Sequence, residues 1–119
     1  MLTSDWKLKI ADFGFSAKKS VSGTKTVGTP GYTPPDVDSK PDYSGQSLDL
    51  FASAVILFIM LSGNPPFRQA RSDDQHYKNI IVNRLDAFWK THISSKGTQF
   101  YSKPFMSLIS GMLQEEQST

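Results

Sequence analysis

The sequence predicts a mainly α-helical fold with one short strand near its start, and three observations point that way. Leu50–Leu61 is an apolar run broken only by Ser53 and followed by Gly63, with the length and stop signal of a buried helix. Phe105, Leu108, Ile109, Met112 and Leu113 fall at offsets of 0, 3, 4, 7 and 8, which places them on one helical stripe. In Trp6-Lys7-Leu8-Lys9-Ile10-Ala11, apolar residues alternate with lysines, the period-two pattern of a half-buried strand.

That strand leads into Asp12-Phe13-Gly14. A carboxylate at a strand end beside a glycine can present its oxygens to a hard cation such as Mg2+, which favours carboxylate and phosphate ligands. From Phe15 to Val27 the chain is too polar, and too broken by Gly23, for a stable element. Phosphorylation of Ser20, Ser22, Thr24 or Thr26 would add nearly two negative charges beside Lys18, Lys19 and Lys25 and could order the loop through charge-assisted bonds. The plain alternative for these lysines is a solvated loop. Gly28-Thr29-Pro30-Gly31-Tyr32-Thr33-Pro34-Pro35-Asp36 follows, stiffened by prolines that fix the backbone.

The central helix is expected over 47–62, with Ser47 as N-cap and Gly63 as its stop. Asp49 then lies in the first turn, where a carboxylate meets free backbone N–H groups and the positive end of the helix dipole. Because the helix is apolar nearly all round, protein should surround it on every side. After Pro65-Pro66-Phe67 and the polar stretch Arg68–Gln75 come Tyr77, Ile80, Ile81, Leu85, Phe88 and Trp89. Their offsets suit a helix over 72–90 with an irregular end, capped by Ser72 or Asp73. His76 and His92 have no second histidine or acid at ligand spacing, so both are expected in structural or surface roles. The last helix is expected over 103–113.

Composition narrows the function classes. Of 119 residues, 38 % are hydrophobic, so the core is possible but thin for a chain this short. Thirteen basic against eleven acidic residues give +2, too little for nucleic acid or an anionic membrane to be the main partner. There is no cysteine for a disulfide or a thiolate metal site. The N-terminus lacks a signal peptide's apolar segment, and Leu50–Leu61 falls short of the roughly 20 residues that span a bilayer. An intracellular, cytoplasmic protein is expected.

These motifs, in this order, resemble those of the eukaryotic-type serine/threonine protein kinases. Asp12-Phe13-Gly14 is similar to the family's magnesium-binding turn. Gly28-Thr29 with Tyr32 resembles the loop that positions the substrate hydroxyl, and Pro34-Pro35-Asp36 stands where the family has Ala-Pro-Glu. Leu48–Phe67, ending in Gly63-Asn64-Pro65-Pro66-Phe67, resembles the family's central helix and the turn after it. Pro104–Leu113 looks like the penultimate helix of the large lobe.

The resemblance implies that residues 1–119 form part of a protein kinase domain, an incomplete C-terminal lobe whose activation segment spans 12–36. It implies ATP and Mg2+ as cofactors in the complete domain, a protein Ser/Thr substrate and an upstream kinase or regulator. Asp12 would act as catalytic residue and metal ligand, Phe13 and Gly14 would complete the cofactor-binding turn, and Thr29 would link the loop to the chemistry. Tyr32, Asp36 and Asp49 would be structural. Three positions depart from the pattern: Pro34 replaces alanine, Asp36 replaces glutamate, and Lys25 occupies the usual phosphosite three residues before Gly28. The Gly-rich loop, the Val-Ala-Ile-Lys lysine, its partner glutamate and the His-Arg-Asp-x-x-x-x-Asn loop do not occur in this sequence. Phosphoryl transfer rests on positioning and charge stabilisation spread over those parts, so this chain alone is expected to lack kinase activity. The alternative reading is a non-catalytic kinase-like binding module or a non-functional remnant.

Overall fold

The computed structural model describes residues 1–17, 28–35 and 44–114. Ser20, Ser22, Thr24, Thr26 and Asp36 lie outside them. Among the described residues four helices carry the fold: α1 (Gly45–Ser62), α2 (Tyr77–Ile81), α3 (Leu85–Lys96) and α4 (Lys103–Leu113). Helix α1 packs on α4, and α2 on α3.

Helix α1 begins one turn earlier than Ser47 suggests, because Ser44 holds the extended N-cap conformation and its carbonyl accepts from the N–H of Ser47 (3.0 Å) and Leu48 (3.2 Å). Asp49 is therefore in the second turn rather than the first, away from the free N–H groups that motivated its placement. The helix ends at Gly63, which takes φ 77° and donates its N–H to the Ile59 carbonyl at 2.8 Å, the αL stop that glycine allows without steric cost. The buried Ser62 hydroxyl lies 2.8 Å from the Phe58 carbonyl oxygen and 2.7 Å from that of Asn64. It ties the helix end to the Pro65-Pro66-Phe67 turn.

Among the described residues, protein does not surround α1. Phe51, Ala54, Val55 and Phe58 are buried, whereas Leu50, Ile56, Leu57, Met60 and Leu61 remain exposed, Met60 by 77 %. Periodicity reports that a face is apolar, and the described residues supply cover for only one side of this helix. At 18 residues and mean hydropathy 1.6 it also meets the length and composition of a bilayer span. Its buried face is nonetheless part of the aromatic core, the ordinary place for such a helix in a globular domain.

The expected helix over 72–90 divides in two. Val82 and Asn83 interrupt it, with Asn83 in the left-handed region at φ 54°, a conformation asparagine tolerates better than most residues. The Arg84 N–H returns to the Asn79 carbonyl at 2.7 Å, and α3 then runs on to Lys96 and stops at Gly97. The cap is neither Ser72 nor Asp73 but Asp74, whose Oδ1 accepts from the N–H of His76 and Tyr77, both at 2.9 Å. Helix α4 has a side-chain cap as well: Ser102 Oγ accepts from the Phe105 N–H at 3.2 Å, with Pro104 in the first turn. On its stripe Ile109 and Leu113 are buried and Phe105 and Met112 partly so, but Leu108 is 54 % exposed.

The core is aromatic. Phe58 sits at its centre with ring centroids 6.4 Å from Phe88, 5.9 Å from Trp89 and 5.7 Å from Tyr101. Trp89 Nε1 donates to Ser110 Oγ at 2.8 Å, satisfying a buried polar pair across α3 and α4. Fewer, larger side chains thus fill the space that a richer aliphatic composition would otherwise occupy.

The segment before Asp12 is not a half-buried strand. It folds back on the first residues in a small hairpin whose one bridge is Leu2 with Leu8, and the N–H of Lys9 donates to the Met1 carbonyl at 2.8 Å. Thr3 and Lys7 close the turn, and Trp6 takes φ 63° within it. Trp6, Leu8 and Ile10 are 82 %, 79 % and 85 % exposed. Alternation identified the extended backbone, but among the described residues nothing packs on its apolar face.

Candidate functional site

Asp12 follows the hairpin in the left-handed region at φ 65°, a geometry that aspartate adopts more readily than most side chains because its short polar group bonds locally. Its Oδ1 accepts weakly from the Gly14 N–H at 3.4 Å. The turn is completed at Phe13, whose carbonyl accepts from the Ser16 N–H (3.0 Å) and Ser16 Oγ (2.7 Å). Asp12 is exposed, and its second carboxylate oxygen makes no hydrogen bond among the described residues. Phe13 and Phe15 are 66 % and 73 % exposed. The result is an oxygen donor held out to solvent on a strained, locally bonded turn.

The second element is the loop over 28–35. The Thr29 carbonyl accepts from the Tyr32 N–H at 3.2 Å and from Thr33 Oγ1 at 3.3 Å, closing a turn around Gly31. Gly31 has φ 97°, and a Cβ added there would stand 3.0 Å from the Arg68 carbonyl oxygen. Backbone therefore meets backbone, so the loop rests on the segment that follows α1, with Pro34 buried and Tyr32 40 % exposed. No hydrogen bond, ion pair or ring contact joins Asp12–Ser16 to residues 28–35 among the described residues. Asp49 is exposed on α1, its carbonyl accepting from Ser53 Oγ at 2.7 Å, so water reaches it.

The turn beneath the loop is organised by a residue the sequence did not single out. Besides capping α2 through Oδ1, Asp74 accepts through Oδ2 from the N–H of Arg68 (3.0 Å) and Gln69 (3.3 Å). Partial burial would raise its pKa, but the N–H groups of Tyr77, His76, Gln69 and Arg68 outweigh that and hold the carboxyl below its ordinary value. An acid a few residues before an apolar periodic stretch was the available signal, and Asp73 competed for it.

The two histidines also meet, although they are far apart in sequence. The rings of His76 and His92 lie 5.0 Å apart, and His92 packs edge-on to Phe58 at 4.8 Å and Phe88 at 4.7 Å. The signal for His92 was its place four residues after Phe88 and three after Trp89, on the buried face of α3. Nothing comparable marked His76.

A protein kinase domain model matches residues 1–119, the whole chain. The serine/threonine-protein kinase SAPK7 of Oryza sativa subsp. japonica is 34 % identical over 108 residues, covering 85 % of this chain and 30 % of that protein. SRK2J of Arabidopsis thaliana is 33 % identical over 108 residues, with 85 % and 31 % covered. SRK2F of the same plant is 36 % identical over 107 residues, with 84 % and 30 % covered. The chain thus spans about three-tenths of the length of the curated relatives it matches. It belongs to the protein kinase domain family, and its mostly helical structure, with almost no strand among the described residues, is consistent with part of a kinase C-terminal lobe.

Proposed function

We propose that this chain contributes the magnesium-binding turn and the substrate-positioning loop of a serine/threonine protein kinase, which transfers the ATP γ-phosphate to a protein hydroxyl in the complete domain. The match of the kinase domain model to all of residues 1–119 carries the reading. The names of its relatives support the Ser/Thr class. In this reading Asp12 is the catalytic metal ligand, Phe13 and Gly14 shape the turn that presents it, and Thr29 links the loop to the chemistry. The oxygen of Asp12 that has no partner among the described residues is a donor of the kind Mg2+ takes, so the residue fits one position in that ion's shell. When bound, Mg2+ would neutralise charge on the nucleotide phosphates.

The chain's own residues hold and orient. The left-handed backbone at Asp12 aims its carboxylate outward, and Gly31 lets the 28–35 loop lie against the Arg68 carbonyl. Tyr32, Asp36 and Asp49 act structurally, and the hydroxyls of Ser20, Ser22, Thr24 and Thr26 are where an upstream kinase would act. The protein works in the cytoplasm on protein substrates. By itself this chain transfers no phosphate, since it contains neither the lysine that holds the phosphates nor the aspartate that accepts the hydroxyl proton.

A chimaera tests this, with the upstream part of a related serine/threonine kinase joined to Met1 and phosphate transfer to a generic Ser/Thr peptide followed by radiolabel. Transfer above background that falls by a factor of about a hundred or more with Asp12→Ala is expected. Transfer by the isolated chain would contradict the proposal, and so would a chimaera indifferent to Asp12.

A further inference from the structure

His76, immediately before α2, and His92, in the third turn of α3, come from different elements and place their ring centroids 5.0 Å apart with 32° between the planes. A Zn–N bond of about 2.0–2.1 Å, with the ring centre roughly 1.1 Å behind the nitrogen, sets two imidazoles on a tetrahedral ion about 5 Å apart, centre to centre. The observed separation is compatible with two ligands of one ion. Moreover, Nε2 of His92 is buried and has no hydrogen-bond partner. A partnerless buried ring nitrogen is costly in an aromatic core and calls for an explanation.

We infer that His76 and His92 form a binding site for a borderline divalent transition-metal ion, with Zn2+ as its type, that clips the segment before α2 to α3. Imidazole nitrogen suits zinc and copper, whereas Mg2+ prefers the oxygen donor at Asp12, so the two sites sort different ions. The Pro66 carbonyl stands beside His92 as a backbone hydrogen-bond acceptor. Such a carbonyl is the kind of outer partner that orients a ligating imidazole. His92 is walled by Phe58 and Phe88, and the half-buried His76 ring stands beside it.

The protein supplies only two ligands. Asp74 is engaged by four backbone N–H groups, Asp73 pairs with Arg71 at 3.2 Å, and among the described residues no group of three or more metal-ligating side chains forms. Water or an incoming ligand completes the shell, so the affinity is of micromolar rather than structural zinc-finger class. The clip would stiffen the Arg68–His76 segment, on which the 28–35 loop rests through Gly31. This holds whether or not the chain takes part in phosphoryl transfer.

The chain has two histidines and no cysteine, which makes the test clean. ZnCl2 is titrated into the full chain near neutral pH by calorimetry, with the His ring resonances followed by NMR and the melting midpoint by circular dichroism. One equivalent is expected, with both rings shifting together and the midpoint rising by a few degrees at saturation. His76→Ala and His76→Asn should each retain the helical spectrum and lose at least about tenfold in affinity. Asp73→Asn should bind as the parent does, and MgCl2 should leave both rings unmoved. No heat up to about 1 mM Zn2+, only one ring shifting, or undiminished binding in the two His76 variants would overturn the site.

Discussion

Two parts of this molecule differ in what holds them. From Ser44 to Gln114, helices close around Phe58, Phe88, Trp89 and Tyr101, and Trp89 finds a buried partner in Ser110, while Nε2 of His92 is left without one. From Met1 to Ala17, the residues that carry the chemistry are held almost wholly by bonds to near neighbours, and their large apolar side chains lie open to water. The helical part has a core of its own. The Asp12 turn has a shape, but among the described residues nothing packs beneath it. Folding stability and catalytic potential therefore reside in different stretches of the chain, and substitutions should separate them.

The sharpest contrast sets Phe58→Ala against Trp6→Ala. Phe58 is fully buried at the centre of the aromatic cluster, and its truncation should lower stability by about 3–5 kcal/mol. Trp6 is 82 % exposed, and its loss should change stability by less than about 0.5 kcal/mol despite being the larger deletion. Urea melts of the two variants measure both. A substantial loss at Trp6 would mean that the hairpin docks on the helices.

Next in size is Trp89→Phe, which leaves the ring packing in place but removes the donor to Ser110 Oγ. Stranding that buried hydroxyl should cost about 1–3 kcal/mol, and Trp89→Phe with Ser110→Ala should recover part of it. A double-mutant cycle by chemical denaturation reads the coupling, and additivity would show that the bond contributes nothing.

Acid separates the regions in another way. His92 has its folded pKa depressed from 6.5 to about 4, so the unfolded chain binds the proton more readily. Its contribution is complete above pH 6.5 and declines as pH falls towards about 4. Discounted for partial solvent access, the loss is about 1–2 kcal/mol. Asp74, held below its ordinary value of 3.8, adds a further loss in the acid range beneath that value. Melting midpoints taken across this range should fall for the parent and fall less steeply for His92→Gln.

The smallest effect belongs to Gly31→Ala. Positive φ and the 3.0 Å approach to the Arg68 carbonyl should together cost about 1 kcal/mol, expressed as loosening of the 28–35 loop rather than of the helices. Hydrogen exchange at Tyr32, whose N–H bonds the Thr29 carbonyl, would report it, and unchanged protection there would show that the loop does not rest on Arg68.

How much of this was legible in the sequence follows the same divide. The existence of α1 and α4 could be read because apolar spacing and a Gly63 stop are local signals, and the family could be read from Asp12-Phe13-Gly14 and Gly63-Asn64-Pro65-Pro66-Phe67 in order. The break at Asn83 and the choice of Asp74 over Asp73 could not, because each depends on which backbone groups the tertiary fold brings within reach. Periodicity likewise marked Met60 and Leu8 as apolar without saying whether anything covers them. The meeting of His76 with His92 needed two elements to fold before either residue had a neighbour.

The most direct test is calorimetric titration of Mg-ATP into the isolated chain, with Asp12→Ala as its control. A carboxylate on a turn with nothing packed beneath it among the described residues should give no binding below about millimolar, and parent and variant should be indistinguishable. Micromolar binding that vanishes with Asp12→Ala would show that these residues assemble a nucleotide site on their own and would contradict the account.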